Sequence, residues 1–92
     1  MALSRTRYFK RYWNESPSGA RGDWGSSWWY FETDDAGVVI RQVEIYERGP
    51  KLRYSEAHQE DEFGGLSEVA LDLTEFAQFG IAAEDFERVW AS

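Results

Sequence analysis

The segment of residues 38–47 constrains the fold more than any other, because it has the pattern of a β-strand with a turn at each end. Its valines and isoleucines favour the extended, pleated backbone. Residues 34–37 precede it as a turn in which Gly37 can adopt a positive φ, and residues 48–50 follow it as a second turn. Since short turns join antiparallel neighbours, the chain is expected to reverse direction at both ends of this strand.

Alternation along this strand predicts which side chains face the core. Val39, Val43 and Ile45 share one face, which we expect to be the core side. The other face becomes polar partway along, through Gln42, Glu44 and Tyr46. This pattern is typical of a sheet with one face in solvent.

Three further segments have strand-like patterns. They cover residues 5–13, 27–32 and 51–55. Between the first two, residues 14–25 collect Gly, Pro, Ser, Asn and Asp, which predicts a loop long enough for a binding role. Residues 66–73 are expected to form a short fifth strand or an extended segment.

The last segment has the periodicity of an amphipathic helix. Its apolar residues are spaced at i, i+4, i+7 and i+8 and form one stripe: Ala82, Phe86, Val89 and Trp90. We therefore expect Trp90 to anchor the helix in the core. The predicted fold class is α+β, with an antiparallel β-meander of four to five strands and a C-terminal helix packed on one face.

Length and composition point to a single intracellular domain. The 92 residues suit one compact domain spanning residues 1–92. No stretch approaches the ~20 apolar residues of a membrane span, and the first residues lack the apolar stretch of a signal peptide. We therefore expect a cytoplasmic protein without membrane attachment. The absence of cysteine excludes disulfides, thiolate zinc sites and cysteine nucleophiles.

Charge is unevenly distributed along the chain. Residues 1–25 hold five basic and two acidic side chains, a net charge of +3, whereas residues 26–92 hold five basic and fifteen acidic ones, a net charge of −10. The overall charge of −7 repels phosphate backbones, so nucleic acid is not an expected partner. A basic protein surface is the partner that this charge favours, although the same charge also promotes solubility.

Few residues could carry catalysis or hold a metal. His58 is the only histidine, and residues 58–62 lack the spaced carboxylates and central glycine of a calcium loop. Asp34 and Asp35 adjoin in a predicted tight turn, where side chains usually project apart into water. The glycines form no phosphate-binding loop. No catalytic residue, metal ligand or cofactor is therefore predicted.

The concentration of aromatic residues is the strongest functional signal. Nine of the sixteen fall between Tyr8 and Phe31, more than one side of two short strands needs for a core. Candidates for exposure are Tyr8, Tyr12, Trp24, Trp28 and Tyr30. Four interpretations stay open: a core filled by aromatics on both sheet faces, a protein interface, a small-ligand site, or a surface on which single-stranded bases stack. As binding residues we select Trp24, Trp28 and Tyr30.

A second candidate site is polar. If the core faces of neighbouring strands agree, four side chains cluster on the outer face of the sheet: Gln42, Glu44, Tyr46 and Arg53. They offer hydrogen-bond donors, a carboxylate acceptor and an aromatic edge, but no obvious nucleophile. Such a cluster would suit a small-ligand-binding or enzymatic domain.

Several motifs occur together along nearly the whole chain. They are residues 7–13 (RYFKRYW), 27–32 (SWWYFE), 41–46 (RQVEIY), 52–54 (LRY), 61–66 (DEFGGL) and 86–90 (FERVW). In this combination the chain resembles a family of small uncharacterised bacterial proteins that is common in actinobacteria. The resemblance implies a single domain but no established activity, cofactor or catalytic residue.

Two functions follow as hypotheses. The first is a non-enzymatic acidic binding domain that engages a protein partner, in the manner of an inhibitor or of the immunity proteins that neutralise bacterial toxins. The alternative is a small-ligand-binding or enzymatic domain that uses the polar cluster on the outer sheet face. A flat exposed aromatic surface would favour the first hypothesis, and a deep pocket over the polar cluster would favour the second.

Overall fold

The main sheet is antiparallel, and its four strands lie side by side in the order in which they follow along the chain. The computed structural model describes residues 6–15 and 19–92, without the side chains of residues 19–21. The strands are β1 Arg7–Trp13, β2 Ser27–Thr33, β3 Val39–Tyr46 and β4 Lys51–Ser55. The predicted meander and the α+β fold class are confirmed.

The remaining elements are short. They are a 3-10 helix over Gly19–Trp24, the paired strands β5 Glu60–Asp61 and β6 Gly64–Gly65, helix α1 Leu73–Phe76, a second 3-10 helix over Ala77–Phe79, and helix α2 Ala83–Ala91. Residues 66–72 form no strand, so of the two expectations for this segment the fifth strand is wrong. The predicted loop of residues 14–25 ends in the first 3-10 helix, and its residues 16–18 lie outside the described residues.

Helix α2 has the apolar stripe that the sequence predicts. Phe86 is fully buried in this stripe, whereas Trp90 is only half-buried, with its ring stacked 6.2 Å from that of Phe86. Acidic Glu84 and Asp85 occupy the first turn and Arg88 the last, which suits the helix dipole. No helix in residues 6–15 and 19–92 has the length and apolar character needed to cross a membrane.

A β-bulge changes the face assignment near the start of β3. Glu32 pairs with Arg41, but the next residue on β2, Thr33, pairs with Val39. Ile40 is thus an extra residue on β3, and one extra residue moves every side chain before it to the opposite face. The prediction that Val39 shares a face with Val43 is therefore wrong.

One face of the sheet, which we call the α1 face, packs against α1 and the chain on either side of it. Its first buried cluster consists of Phe9, Phe31, Val39 and Phe76. The ring of Phe76 lies 5.8 Å from that of Phe9 and 5.9 Å from that of Phe31, both edge to face. A second cluster continues along the same face with Tyr46, Leu52 and Tyr54, and residues 24, 63 and 66 pack against it.

The opposite face, which we call the α2 face, packs against α2. Phe86 inserts from the helix between Tyr30 and Val43 of the sheet, and Val43 is fully buried. Burying an aromatic or aliphatic side chain of this size contributes ~1.5–3 kcal/mol. Each face is therefore covered over part of its area, and the prediction of one solvated face is wrong.

Candidate functional site

The polar side chains of β3 are buried on the α1 face and bonded to one another. Gln42, Glu44 and Tyr46 are only 1%, 5% and 7% exposed. The Glu44 carboxylate accepts hydrogen bonds from Gln42 Nε2 at 2.8 Å and from the Tyr46 hydroxyl at 2.5 Å. The Gln42 amide also donates to the Gly65 carbonyl and accepts from the Ser67 N–H. These contacts join β3 to β6 and to the residue pair that follows it, so the three buried residues have a structural role.

Arg53 lies on the α2 face, away from the three buried residues. β4 alternates, so that Leu52 and Tyr54 point to the α1 face while Lys51 and Arg53 point to the other. The Arg53 guanidinium donates to the carbonyl oxygen of Ser92 just beyond α2. The expected cluster of Gln42, Glu44, Tyr46 and Arg53 is therefore wrong, because three of its members face a covered side of the sheet and the fourth faces the opposite side.

Charged side chains fasten α2 to the sheet. Arg41 bonds to Glu32 of β2 and to Glu87 of α2, and its guanidinium lies 4.9 Å from the ring centre of Phe86 and 5.0 Å from that of Trp90. The hydrogen bond from Arg41 lowers the pKa of Glu87, and the same bond contributes most to raising the pKa of Arg41. This arrangement has a structural role, because the Arg41 guanidinium is ion-paired with both carboxylates.

Two of the three selected aromatic residues belong to the core. Tyr30 is 8% exposed beneath α2. Trp24 is half-buried at the end of the first 3-10 helix, with its ring 4.8 Å from Tyr46 and 5.4 Å from Phe63. Exposure as interface anchors is wrong for Tyr30, because α2 covers it, and Trp24 is largely engaged in packing against the α1 face.

The third selected residue, Trp28, is exposed at the end of the α2 face that α2 leaves open. Trp28 is 41% exposed and its cross-strand partner Tyr12 is 47% exposed, with ring centres 4.9 Å apart. The Lys10 ammonium lies 4.4 Å above the Trp28 ring, within range of a cation–π interaction. We call Lys10, Tyr12 and Trp28 the aromatic patch. Strand pairing places all three on one surface, and Tyr12 and Trp28 were among the aromatic residues considered as candidates for exposure.

Trp13 lies on the other side of β1 and was not selected from the sequence. It is 46% exposed and lines an apolar cavity of about 200 Å³ with Arg11, Trp29, Phe31 and Phe76. The Arg11 guanidinium lies 5.5 Å from the Trp13 ring and bonds to Glu75 of α1 at 3.2 Å. The consecutive pair Tyr12 and Trp13 at the end of a sheet-edge strand was the signal available, since neighbours on a strand occupy opposite faces.

Carboxylates concentrate at the opposite end of the sheet, where β2 and β4 end. Glu56, Glu60 and Glu68 line a groove of about 680 Å³ beside exposed Val38, and no lysine or arginine of the described residues lines it. We call this the acidic groove.

The aspartates considered for catalysis or metal binding accept hydrogen bonds from nearby groups of the fold. Asp34 accepts from the N–H groups of Ala36 and Val38 and so closes the turn before β3. Asp61 is partly desolvated, which raises its pKa, but hydrogen bonds from Phe63, Tyr54 and Gly64 outweigh this and lower the pKa overall. Within the described ranges, no three His, Asp or Glu side chains are placed to share a metal ion.

Comparison with known proteins gives no assignment. No family model matches the chain, and no curated protein and no solved structure matches it. The resemblance of its motifs to small bacterial proteins stays a prediction. Among the described residues, the aromatic patch and the acidic groove are open to solvent.

Proposed function

We propose that the chain is a binding domain without catalytic activity that engages a basic protein partner, as an inhibitor or immunity-type protein does. One observation carries the proposal: Tyr12 and Trp28 form a contacting pair of large aromatics on a sheet surface that α2 does not cover. Exposed tryptophan and tyrosine offer large contact areas with little loss of side-chain entropy on binding, which is why they dominate interface energetics.

The distribution of charge supports a basic partner. The overall charge is −7, and the acidic groove has carboxylates without a described cation among its lining residues. Exposed carboxylates attract a basic surface over a Debye length of ~8–10 Å and raise the rate of encounter. In this proposal the acidic residues mainly raise the association rate and contribute less to the stability of the complex.

In this proposal the aromatic patch stabilises the complex once it has formed. A central aromatic anchor that loses its water on binding typically contributes ~2 kcal/mol or more, and its removal acts mainly on the dissociation rate. Trp28 already contacts the Tyr12 ring and the Lys10 ammonium, so its orientation is largely set before the partner arrives. Preorganisation of this kind lowers the entropy lost on association.

The small-ligand alternative loses its support. It required Gln42, Glu44 and Tyr46 to open onto solvent beside Arg53, but the three are buried and hydrogen-bonded within the fold. The apolar cavity beside Trp13, at about 200 Å³, is smaller than the ~300–1,000 Å³ of typical ligand pockets. The acidic groove lies within that range at about 680 Å³, but none of the four residues of the predicted polar cluster lines it.

Affinity capture from the native host tests the proposal. The tagged protein, its Trp28→Ala variant and a matched Val69→Ala control are used as baits, since Val69 is 77% exposed and lies outside the aromatic patch. Polylysine is added as a competitor, so that generic attraction to acidic proteins is removed. We expect one basic protein to be retained by the wild type and by Val69→Ala and to be depleted with Trp28→Ala. Equal recovery by all three baits, or recovery that polylysine abolishes, would contradict the proposal.

A further inference from the structure

β1 is an edge strand whose outer side is only partly occupied. The Ile81 N–H donates to the Tyr8 carbonyl at 2.9 Å, and Phe9 forms an isolated antiparallel bridge with Gly80. The main chain of Tyr8 therefore points away from β2, and by strand alternation so does that of Lys10 and Tyr12. The bridge also places the Lys10 N–H beside the Phe79 carbonyl, and beyond it no described residue bonds on the outer side to the carbonyl of Lys10 or to the N–H and carbonyl of Tyr12.

The chain itself demonstrates that this edge accepts an extended segment. Gly80 has extended backbone angles, φ −62° and ψ 140°, where it lies beside Phe9. After Ile81 the chain turns away into α2, which begins at Ala83. Pairing within the chain thus stops at the Lys10 N–H, and the Lys10 carbonyl and the main chain of Tyr12 are left as exposed backbone donors and acceptors.

Both faces beside this open half carry apolar surface. On the α2 face, Tyr12 and Trp28 are exposed, and on the α1 face Trp13 opens onto the apolar cavity of about 200 Å³. A strand added beside residues 10–13 would place alternate side chains on these two surfaces, because paired residues share a face. The cavity has room for one aliphatic side chain of the added strand.

The charged side chains of β1 indicate which polar residues the added strand should carry. No carboxylate of the described residues lies in ion-pair distance of Lys10 or Arg7, whereas Arg11 is paired with Glu75. Lys10 points to the α2 face, so the residue opposite it should be acidic and its neighbours, which point to the cavity, should be apolar. A second copy of the chain pairing through β1 would instead bring Lys10 and Arg11 of the two copies together, and like charges oppose this.

Resting on the proposed function, we propose that the partner docks by strand addition: an extended segment with alternating acidic and apolar residues pairs with residues 10–13 of β1. The segment's backbone bonds to the Lys10 carbonyl and to the main chain of Tyr12, one apolar side chain fills the cavity beside Trp13, and an acidic side chain lies opposite Lys10. The partner then has two charged regions. Its acidic segment pairs with β1, and a basic surface elsewhere on it faces the acidic groove.

A synthetic peptide of about seven residues that alternates glutamate and leucine is the probe. Its binding is followed by the amide NMR signals of Lys10 and Tyr12 and by the indole signal of Trp13. We expect these three to shift on titration, and hydrogen exchange at the Tyr12 amide to slow. Shifts confined to the acidic groove, or no saturable binding, would overturn strand addition.

Three variants separate backbone pairing from side-chain contact. Tyr12→Pro removes the outward N–H, and Tyr12→Ala removes the same ring but keeps the N–H, so the proline variant should bind the peptide about tenfold more weakly than the alanine variant. Lys10→Glu should reverse the preference between this peptide and one with lysine in place of glutamate. Equal binding by both Tyr12 variants, or an unchanged preference in Lys10→Glu, would refute the proposal.

The outcomes of this experiment and of the affinity capture are independent. Capture that depends on Trp28 without any peptide binding would leave the proposed function standing and overturn strand addition. Peptide binding at residues 10–13 without a captured basic protein would support strand addition and contradict the proposed partner. A concentration-dependent dimer in sedimentation that Lys10→Glu strengthens would show that a second copy occupies the edge, and would overturn the assignment of the partner segment.

Discussion

Truncation of Phe86 should remove a large part of the stability of the fold. Phe86 is the one fully buried aromatic of α2, and it packs between Tyr30 and Val43. Its ring also stands 5.5 Å from that of Tyr8 and beneath the Arg41 guanidinium. Phe86→Ala therefore removes the central apolar contact between α2 and the sheet and leaves a cavity among Tyr8, Tyr30, Arg41 and Val43.

The expected loss follows from burial. Fully buried phenylalanine to alanine changes cost ~3–5 kcal/mol, compared with the ~5–15 kcal/mol that small domains possess in total. For a domain of this size each kcal/mol lowers Tm by ~4–8 °C, so Phe86→Ala should lower Tm by more than about 12 °C. Trp90→Ala should have a smaller effect, about half as large, because Trp90 is only half-buried.

Thermal and urea unfolding, followed by circular dichroism, measure the difference. Both variants should unfold in one transition, and Phe86→Ala should be clearly the less stable. A larger loss for Trp90→Ala would refute the packing order derived from burial and restore the sequence-based expectation that Trp90 is the principal anchor. An unchanged Tm for Phe86→Ala would show that α2 contributes little to the core.

Three further outcomes are expected. Gly37→Ala should lower the free energy of unfolding by more than about 1 kcal/mol, because φ is +89° and the added Cβ would collide with the Leu71 carbonyl oxygen. Arg41 lowers the pKa of Glu87, so its stabilisation is present above the unfolded pKa of about 4.3 and is lost as pH falls through the folded value; Glu87→Gln should flatten this part of the acid-unfolding profile. Calcium or zinc should not raise Tm, and a saturable rise would contradict the sequence-based prediction that the chain has no metal ligands.

The strands and the last helix were predictable because their signals are local. Alternation identifies β3, the glycine at position 37 sets the turn before it, and the spacing of Phe86, Val89 and Trp90 identifies α2. None of these inferences needs knowledge of distant parts of the chain.

The face assignment failed because it depends on distant parts of the chain. The extra residue Ile40 shifts the alternation by one, which no local pattern reveals. Gln42 and Glu44 look like solvent-facing residues, but the chain around Gly65 and Ser67 covers them and supplies backbone partners. A polar side chain that is fully hydrogen-bonded can be buried at little net cost, so its polarity alone does not predict exposure.

The candidate site was predictable in part. The excess of aromatic residues between Tyr8 and Phe31 indicated that some are exposed, and Trp28 is. Which ones are exposed depends on where α2 ends on the sheet, a tertiary feature. The open edge of β1 was likewise not visible in the sequence, since it follows from the strand order and from the departure of the chain after Ile81.

Binding kinetics on the captured protein test the central claim most directly. Association and dissociation rates are measured at low and at physiological salt for the wild type, Trp28→Ala and the Val69→Ala control. If carboxylates steer the encounter and the aromatic patch holds the complex, added salt slows association, whereas Trp28→Ala raises the dissociation rate about tenfold or more with little change in association. Salt-independent association together with an unchanged dissociation rate in Trp28→Ala would contradict the account.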